Sequence, residues 1–241
     1  MTVLGHLDQH PGIDPPNFVA TVTGITDEII EMDKTFYYPK GGGQPADKGI
    51  ITTESFQCNV YDVSKNESVF HHIDDVNGRL NVGDVISCSI NTNWRNQLSS
   101  MHTAQHLISA LANEEWGADT VGNQIGYERT RIDLKFENRD VFNADHLEEL
   151  VNDAIQNNML VRMDYRDSNE LLKDPLVRVN MDRMPPNIDV WRTISIGDLD
   201  VCPCAGTHVP RTGMIEPVKI SKVKSKGAGK LRVEYIFEKT I

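Results

Sequence analysis

Cysteine is scarce in this chain, and long apolar segments are missing. No stretch of 18 consecutive apolar residues occurs, which excludes a transmembrane helix and argues against a membrane protein. Residues 1–12 contain no basic stretch followed by an apolar one, so we expect no signal peptide and a cytoplasmic location. A disulfide framework is not expected in that compartment. The 241 residues include four cysteines, Cys58, Cys88, Cys202 and Cys204. The last two are separated by one proline, which indicates metal binding or catalysis.

Basic side chains are also in the minority. The chain has 24 lysines and arginines against 35 acidic residues, which gives a net charge of −11 at pH 7. This excess argues against a protein that coats nucleic acid over its whole surface. Residues 219–241 are the exception, with seven basic and two acidic side chains. This segment is either a surface that contacts phosphates or a solvated basic hairpin.

The pattern of apolar residues changes once along the chain. Short β-branched segments separated by Gly, Asp and Asn fill the first ninety residues and predict a small barrel or sandwich. Apolar residues then recur at helical spacing over about residues 94–113, and a second helix is expected after Asn143. We therefore predict an α+β fold, with a small β-barrel-like domain at residues 1–92 and an α/β domain with an antiparallel sheet and helices at residues 93–241. Strands are expected at residues 18–24, 28–32, 50–53, 56–63, 68–73, 85–90, 130–136, 160–165, 189–196, 218–223 and 231–237.

Two histidines lie four residues apart on the first predicted helix, at His102 and His106. This spacing places both imidazoles on one face, where they can share a cation. That face points away from the apolar stripe of the helix, so a pair of surface histidines is the alternative interpretation.

A second pair of metal-ligating residues follows about a hundred positions later. Cys204 and His208 bracket a short turn that contains Ala205 and Gly206. With the histidine pair they complete four nitrogen or sulfur ligands, the set that Zn²⁺ prefers. No glutamate follows His102, which excludes the HExxH motif of zinc peptidases.

The third feature is a glycine-rich loop in the predicted barrel. Consecutive glycines allow backbone conformations and close approaches that side chains forbid. The absence of a following Gly-Lys-Ser/Thr excludes a P-loop, and an ordinary barrel loop is the alternative interpretation. Its residues are Gly41, Gly42, Gly43, Gln44, Asp47 and Gly49.

These three motifs occur in the same order, with similar spacing, in the editing domain of alanyl-tRNA synthetase. The chain most resembles the free-standing AlaX-type trans-editing relatives of that domain, from about residue 18 to the C-terminus. The glycine-rich N-terminal domain resembles the longer AlaX form. The family turn usually reads Cys-Gly-Gly-Thr-His, and Ala205 replaces the first glycine here.

The resemblance implies a zinc-dependent deacylase that hydrolyses the ester of serine, or glycine, on the 3′ end of tRNA(Ala). A hydrophobic alanine site cannot strongly reject a side chain that only adds a hydroxyl, so a second site is needed. The implied zinc ligands are His102, His106, Cys204 and His208. The expected substrate contacts are Gln124, Asn123, Thr120 and Thr207, and a polar turn is the alternative interpretation of residues 122–126. Contacts to tRNA are expected from Arg129, Arg131, Lys226, Lys230 and Arg232. The glycine-rich loop is expected to help recognise tRNA or to stabilise the contact between the domains.

Several alternatives remain open from the sequence alone. Zinc held by all four ligands forms a closed structural site, whereas a loose ligand admits water or substrate. The competing functions are a non-catalytic tRNA-binding module with structural zinc and a deacylase for another mischarged tRNA, such as Ser-tRNA(Thr). The sequence does not indicate the oligomeric state.

Overall fold

The computed structural model describes residues 2–179 and 188–238 and contains a β-rich N-terminal half and a mixed C-terminal half. The helices are α1 (Gly5–Asp8), α2 (Thr92–Trp116), α3 (Ala144–Gln156) and α4 (Ser168–Leu171). The strands are β1 (Val3–Leu4), β2 (Phe18–Ile25), β3 (Ile29–Met32), β4 (Lys34–Thr35), β5 (Gly49–Thr52), β6 (Phe56–Lys65), β7 (Val69–Gly78), β8 (Val85–Ile90), β9 (Asp119–Gln124), β10 (Thr130–Lys135), β11 (Val161–Asp167), β12 (Val190–Ile196), β13 (Asp200–Pro203), β14 (Val218–Ser225) and β15 (Lys230–Phe237). The predicted α+β fold class is confirmed.

Six strands of the N-terminal half close into an antiparallel barrel in the order β2-β3-β7-β6-β5-β8. Alternation along each strand explains why, because successive side chains point to opposite faces. In β8, for example, Ile86, Cys88 and Ile90 are buried in the barrel, while the residues between them are exposed. The barrel-like N-terminal half predicted from these alternating segments is therefore confirmed.

Helix α2 is the longest helix of the described residues and links the barrel to the rest of the chain. The Asn91 side chain accepts a hydrogen bond from the Trp94 amide at 3.0 Å and caps the first turn. Gly117 ends the helix with a φ of +62°, a conformation that suits glycine. Its middle is buried on every side, from Leu98 to Ala112 apart from Ser100. No helix among the described residues is long and apolar enough to cross a membrane.

The C-terminal half packs two antiparallel sheets and α3 around α2. One sheet has the strand order β14-β15-β10-β9, and the other has the order β11-β12-β13. Helix α3 begins after Asn143, whose side chain accepts from the His146 amide, and it buries an apolar stripe that includes Leu147 and Val151. The core of this half is separate from the core of the barrel. The proposed boundary near residue 92 stays a prediction, although the two cores lie on either side of it.

A buried ion pair joins the two halves. Arg95 of α2 and Asp47 of the glycine-rich loop are both inaccessible to solvent and form a salt bridge. The same guanidinium donates to the carbonyl groups of Gly12 and Phe36, at 3.3 Å and 2.8 Å. Asp47 also accepts from the Tyr38 amide. The N-terminal segment, the loop and α2 are thus fixed to one another behind the four clustered metal-ligating side chains.

Candidate metal centre and adjoining pocket

The four side chains implied as zinc ligands meet in one cluster. Their ligand atoms all lie within 4.8 Å of one another. The Cys204 Sγ is 3.6 Å from His102 Nε2 and 3.4 Å from His208 Nε2. Tetrahedral zinc with ordinary Zn–N and Zn–S bonds separates a nitrogen from a sulfur ligand by about 3.5 Å. The geometry and the chemistry of these donors therefore suit Zn²⁺.

The alternative interpretation of His102 and His106 as surface residues is wrong. Their relative exposures are 2% and 4%, and both lie between α2 and the turn that carries Cys204. The face of α2 that carries the two histidines is covered by the glycine-rich loop, by β13 and by the turn that follows Cys204. Helical spacing correctly placed the two rings together, but it does not show what covers the helix.

Each histidine of the cluster is oriented through its Nδ1 atom. The acceptors are Gln44 Oε1 for His102 at 2.7 Å, Asp200 Oδ2 for His106 at 2.9 Å and Thr103 Oγ1 for His208 at 3.1 Å. The Thr103 hydroxyl donates to the Ser99 carbonyl, so its oxygen is available to accept. With the proton on Nδ1 in all three rings, each Nε2 carries a lone pair, which is the form that binds a metal.

The charges in the cluster favour the metal-binding protonation states of Cys204 and His208, whereas His106 must release a proton before its Nε2 can bind a metal. Burial raises the pKa of the Cys204 thiol, but the neighbouring His102 and His208 hold it well below its usual value. Burial, with His102 nearby, keeps the pKa of His208 well below its usual value. Burial also lowers the pKa of His106, but its hydrogen bond to Asp200 outweighs this and raises the pKa to about 9. A thiolate and neutral imidazoles are the states that bind zinc.

A pocket of about 700 Å³ opens beside the cluster, and His102, His106 and Cys204 face it. Next to the cluster this pocket has a polar wall, in which side chains of α2 and β9 hydrogen-bond to one another. Gln105 Nε2 donates to Ser109 Oγ at 2.7 Å, and Thr120 Oγ1 contacts the same Ser109 oxygen at 2.8 Å. Asn123 Nδ2 donates to Gln105 Oε1 at 3.2 Å. The pocket thus presents hydroxyl and amide groups within reach of a small polar substrate.

The four predicted substrate contacts fall in three places. Thr120 and Asn123 line the pocket beside the cluster. Gln124 is exposed and lines a second pocket instead. Thr207 lies beneath the cluster, where its hydroxyl contacts Gln44 Nε2 at 2.9 Å and Ser99 Oγ at 2.8 Å. Their contacts with a substrate stay predictions.

The predicted tRNA contacts are spread along the sheet that contains β10 and β15. Arg232 forms a two-pronged salt bridge with Asp133, at 2.7 Å and 2.8 Å. Arg129 pairs with Glu234 at 3.0 Å. Arg131 lines the second pocket. Lys226 and Lys230 lie at the turn between β14 and β15, where Lys226 is exposed. These residues also stay predictions as tRNA contacts.

Two glycines of the motifs are required by close packing. A Cβ on Gly206 would lie 2.2 Å from Cε1 of His102, so no side chain fits between the turn and the ring. Gly43 has a φ of +86°, and its Cβ would lie 2.5 Å from Asn123 Oδ1. Ala205 is exposed at the pocket and does not have a positive φ. The alanine that replaces the family glycine therefore introduces no strain.

Sequence reasoning missed side chains of the pocket wall and side chains that support the cluster. Gln105 and Ser109 follow His102 by three and seven positions, so helical spacing alone would have placed them on the same face. Asp200 has no such signal, because it lies 94 positions from His106 and reaches it only through the fold. Arg178 holds the other oxygen of Asp200, with Nε at 2.9 Å from Oδ1.

Comparisons with known proteins place the chain in a family. Residues 191–234 match the sequence profile described as "Threonyl and Alanyl tRNA synthetase second additional domain", and residues 12–94 match "tRNA synthetases class II (A)". The alanyl-tRNA editing protein AlaX-M of Saccharolobus solfataricus is 33% identical over 224 residues, which cover 90% of this chain and 92% of that protein. AlaX-M of Methanosarcina barkeri is 34% identical over 229 residues, 90% of this chain and 93% of that protein. The alanine–tRNA ligase of Halorubrum lacusprofundi is 33% identical over 210 residues, 86% of this chain and 22% of the ligase. The chain belongs to the AlaX family of alanyl-tRNA editing proteins.

Proposed function

We propose that this protein is a trans-editing deacylase that acts in the cytoplasm and hydrolyses the ester of serine on mischarged tRNA(Ala). The observation that carries this proposal is the convergence of the four metal-ligating side chains on a polar pocket in a chain whose relatives are named alanyl-tRNA editing proteins. Glycine on tRNA(Ala) is a second substrate of the same class. The four-ligand cluster is proposed to hold Zn²⁺.

Selection of serine over alanine is assigned to the polar wall of the pocket. The serine hydroxyl finds hydrogen-bonding partners among Ser109, Thr120 and Asn123, which are already linked to one another through Gln105. An alanyl group forms no hydrogen bond with this wall, so the serine ester gains about 0.5–1.5 kcal/mol for each hydrogen bond that the alanine ester lacks. A site that binds a hydroxyl therefore rejects the substrate that lacks it.

The reaction is the addition of water to the ester carbonyl. The bond between the carbonyl carbon and the ribose oxygen then breaks, serine is released, and a proton goes to the ribose oxygen, which restores the tRNA hydroxyl. Bound zinc would supply a positive charge at the floor of the pocket that attracts and orients the ester. Because His102, His106 and Cys204 face the pocket, the chain holds the ester against this floor while the polar wall holds the amino-acid side chain.

The direct test is a deacylation assay with matched substrates. The protein is incubated with Ser-tRNA(Ala), Gly-tRNA(Ala), Ala-tRNA(Ala) and Ser-tRNA(Thr). We expect Ser-tRNA(Ala) to be hydrolysed at least about a hundredfold faster than Ala-tRNA(Ala), since sites that hydrogen-bond a substrate hydroxyl reject the analogue without it by up to about 10⁴- to 10⁵-fold. Equal hydrolysis of these two, or of neither, would refute the proposal. Faster hydrolysis of Ser-tRNA(Thr) would assign the protein to the threonine tRNA instead.

A conservative variant tests the polar wall. Thr120→Val keeps the shape of the side chain and removes its hydroxyl, which contacts Ser109 at 2.8 Å. We expect a loss of about tenfold in kcat/KM for Ser-tRNA(Ala) and little change for Gly-tRNA(Ala), whose amino acid has no hydroxyl. Thr52→Val, the same change on β5 at a residue that lines none of the cavities described, is the control for the loss of a strand hydroxyl.

A further inference from the structure

A second cavity of about 560 Å³ lies on the other side of the glycine-rich loop from the cluster. It is formed where the loop meets the barrel, the start of α2 and the strands β9 and β10. Its lining includes three basic side chains, Lys40, Lys48 and Arg131, and one acidic side chain, Asp62. A cavity with net positive charge is unusual in a chain whose net charge is −11.

The basic groups of this cavity are available to an anion. Lys40 and Lys48 are exposed, and neither forms an ion pair with any residue that the structure describes. Lys48 is held in place by Trp94, because its Nζ lies 4.1 Å above the centre of the indole ring. Trp94 also stacks on Tyr127, with a distance of 5.1 Å between the ring centroids and an angle of 9° between the ring planes. A hydrogen bond of 2.9 Å from the indole Nε1 to the Ala46 carbonyl fixes the ring further.

The two cavities share a wall that is about one residue thick. Asn123 lines both cavities, Gly42 lines the one at the cluster, and Gly43 lines the second. The Asn123 amide contacts the Gly42 carbonyl at 3.3 Å, and the Gly43 carbonyl accepts from the Ile125 amide at 2.8 Å. Because Gly42 and Gly43 have no side chains, nothing projects from this wall into either cavity at these two positions. A chain molecule whose end lies at the cluster can therefore continue over the wall into the second cavity.

We propose that the second cavity binds the phosphate backbone of the single-stranded RNA segment that precedes the 3′-terminal nucleotide of the substrate, with Lys40, Lys48 and Arg131 as its phosphate contacts. This inference rests on the proposed function, which places the 3′ end at the cluster. The charge of the lining matches a polyanion, and the adjacency of the two cavities matches a strand that leaves the cluster. Phosphate contacts of this kind position a nucleic acid without reading its sequence.

The experiment compares two double variants that lose the same charge from the barrel half. Lys40→Ala/Lys48→Ala removes two contacts from the cavity, whereas Lys34→Ala/Arg79→Ala removes two exposed charges that line none of the cavities described. Binding of uncharged tRNA(Ala) is measured over a range of salt concentrations. Each lost phosphate contact on a single strand lowers the slope of log K against log[salt] by about 0.7, so we expect a loss of about 1.4 for the cavity variant. We also expect about tenfold weaker binding at low salt, and less than a twofold change for the control.

A second measurement separates this inference from the proposed function. The serine ester of adenosine carries the reacting bond but no preceding phosphates, so the cavity variant is expected to hydrolyse it at the wild-type rate. On Ser-tRNA(Ala) the same variant is expected to show a raised KM and an unchanged kcat, and Lys40→Arg/Lys48→Arg is expected to restore KM. Wild-type affinity and salt dependence in Lys40→Ala/Lys48→Ala, with deacylation intact, would overturn the cavity assignment alone. Equal losses on both substrates would also overturn it, and an inactive wild-type protein would instead refute the proposed function.

Discussion

Gln44 connects the barrel to the candidate metal centre, and its replacement is the most informative perturbation of the site. The side chain is 1% exposed. Its Oε1 accepts from His102 Nδ1 at 2.7 Å and from the Thr207 amide at 3.2 Å, while its Nε2 donates to Thr207 Oγ1 at 2.9 Å. One side chain from the glycine-rich loop therefore fixes both His102 on α2 and the turn between Cys204 and His208.

Gln44→Leu removes the acceptor for two buried donors. The ring of His102 then loses the bond that keeps its proton on Nδ1 and its lone pair toward the metal. Loss of such an orienting partner typically weakens metal binding 10- to 100-fold, which corresponds to about 1.4–2.7 kcal/mol. Leaving the Thr207 amide and His102 Nδ1 unpaired adds about 1–3 kcal/mol of destabilisation for each group. We therefore expect weaker zinc binding and a lower unfolding temperature.

The measurement is a zinc titration in competition with a chelator, combined with thermal unfolding of the same samples. Gln44→Glu keeps an acceptor for His102 Nδ1, and we expect it to bind zinc with at least wild-type affinity. A carboxylate already plays this part at His106, whose Nδ1 is hydrogen-bonded to Asp200. Gln57→Leu, an exposed glutamine of β6, is the control for the loss of an amide group. If Gln44→Leu binds zinc as tightly as the wild-type protein, Gln44 does not position His102 and the reasoning fails.

Three further predictions concern the centre and the barrel. Asp47→Ala leaves the buried Arg95 charge unpaired, so we expect urea denaturation to show a free energy of unfolding that is about 3–5 kcal/mol lower. The double variant Arg95→Met/Asp47→Leu should recover part of the lost stability. A loss below about 1 kcal/mol in Asp47→Ala would contradict the buried pair. Burial lowers the pKa of His71 from 6.5 to about 4. Between these pH values the unfolded chain binds a proton that the folded chain does not, so the free energy of unfolding falls as the pH drops, by about 2 kcal/mol at pH 5. His71→Gln should flatten the stability curve between pH 7 and pH 5, and an unchanged slope would exclude this histidine as its source. Cys204→Ser should lower the amount of bound zinc and abolish the effect of a chelator on the unfolding temperature. Cys202→Ser should bind zinc and respond to the chelator as the wild-type protein does. Equal behaviour of the two variants would remove Cys204 from the ligand set.

The elements that sequence predicted well are those whose pattern is local. The strand at Val85–Ile90 was predicted with both ends correct, because every second residue is apolar. The helix after Asn143 was predicted from its capping residue and its apolar stripe. Helix α2 begins two residues earlier and ends three residues later than predicted, since Asn91 and Gly117 cap it beyond the apolar stripe.

The strands that sequence missed depend on distant partners. β9 contains Gly122 and several polar residues, and it exists because it pairs with β10. β13 is a four-residue strand that adds to β12. Neither has an alternating pattern long enough to be recognised. The same limit applies to the site. The four candidate ligands stand in two short motifs, but the acceptors that orient the histidines lie up to 105 positions away from the rings they contact.

The origin of those three acceptors shows that the barrel contributes directly to the candidate metal centre. Gln44 belongs to the barrel loop, Thr103 to α2 and Asp200 to β13, so the three histidines are oriented together only when both halves of the chain are packed as observed. A ligand that binds the packed arrangement stabilises it by RT ln(1 + [ligand]/Kd), about 4 kcal/mol at a thousandfold excess over Kd. Zinc bound to the four side chains would therefore stabilise the packing of the two halves, which the Arg95–Asp47 pair already joins. Because the coupling is reciprocal, a change that destabilises this packing would also weaken zinc binding.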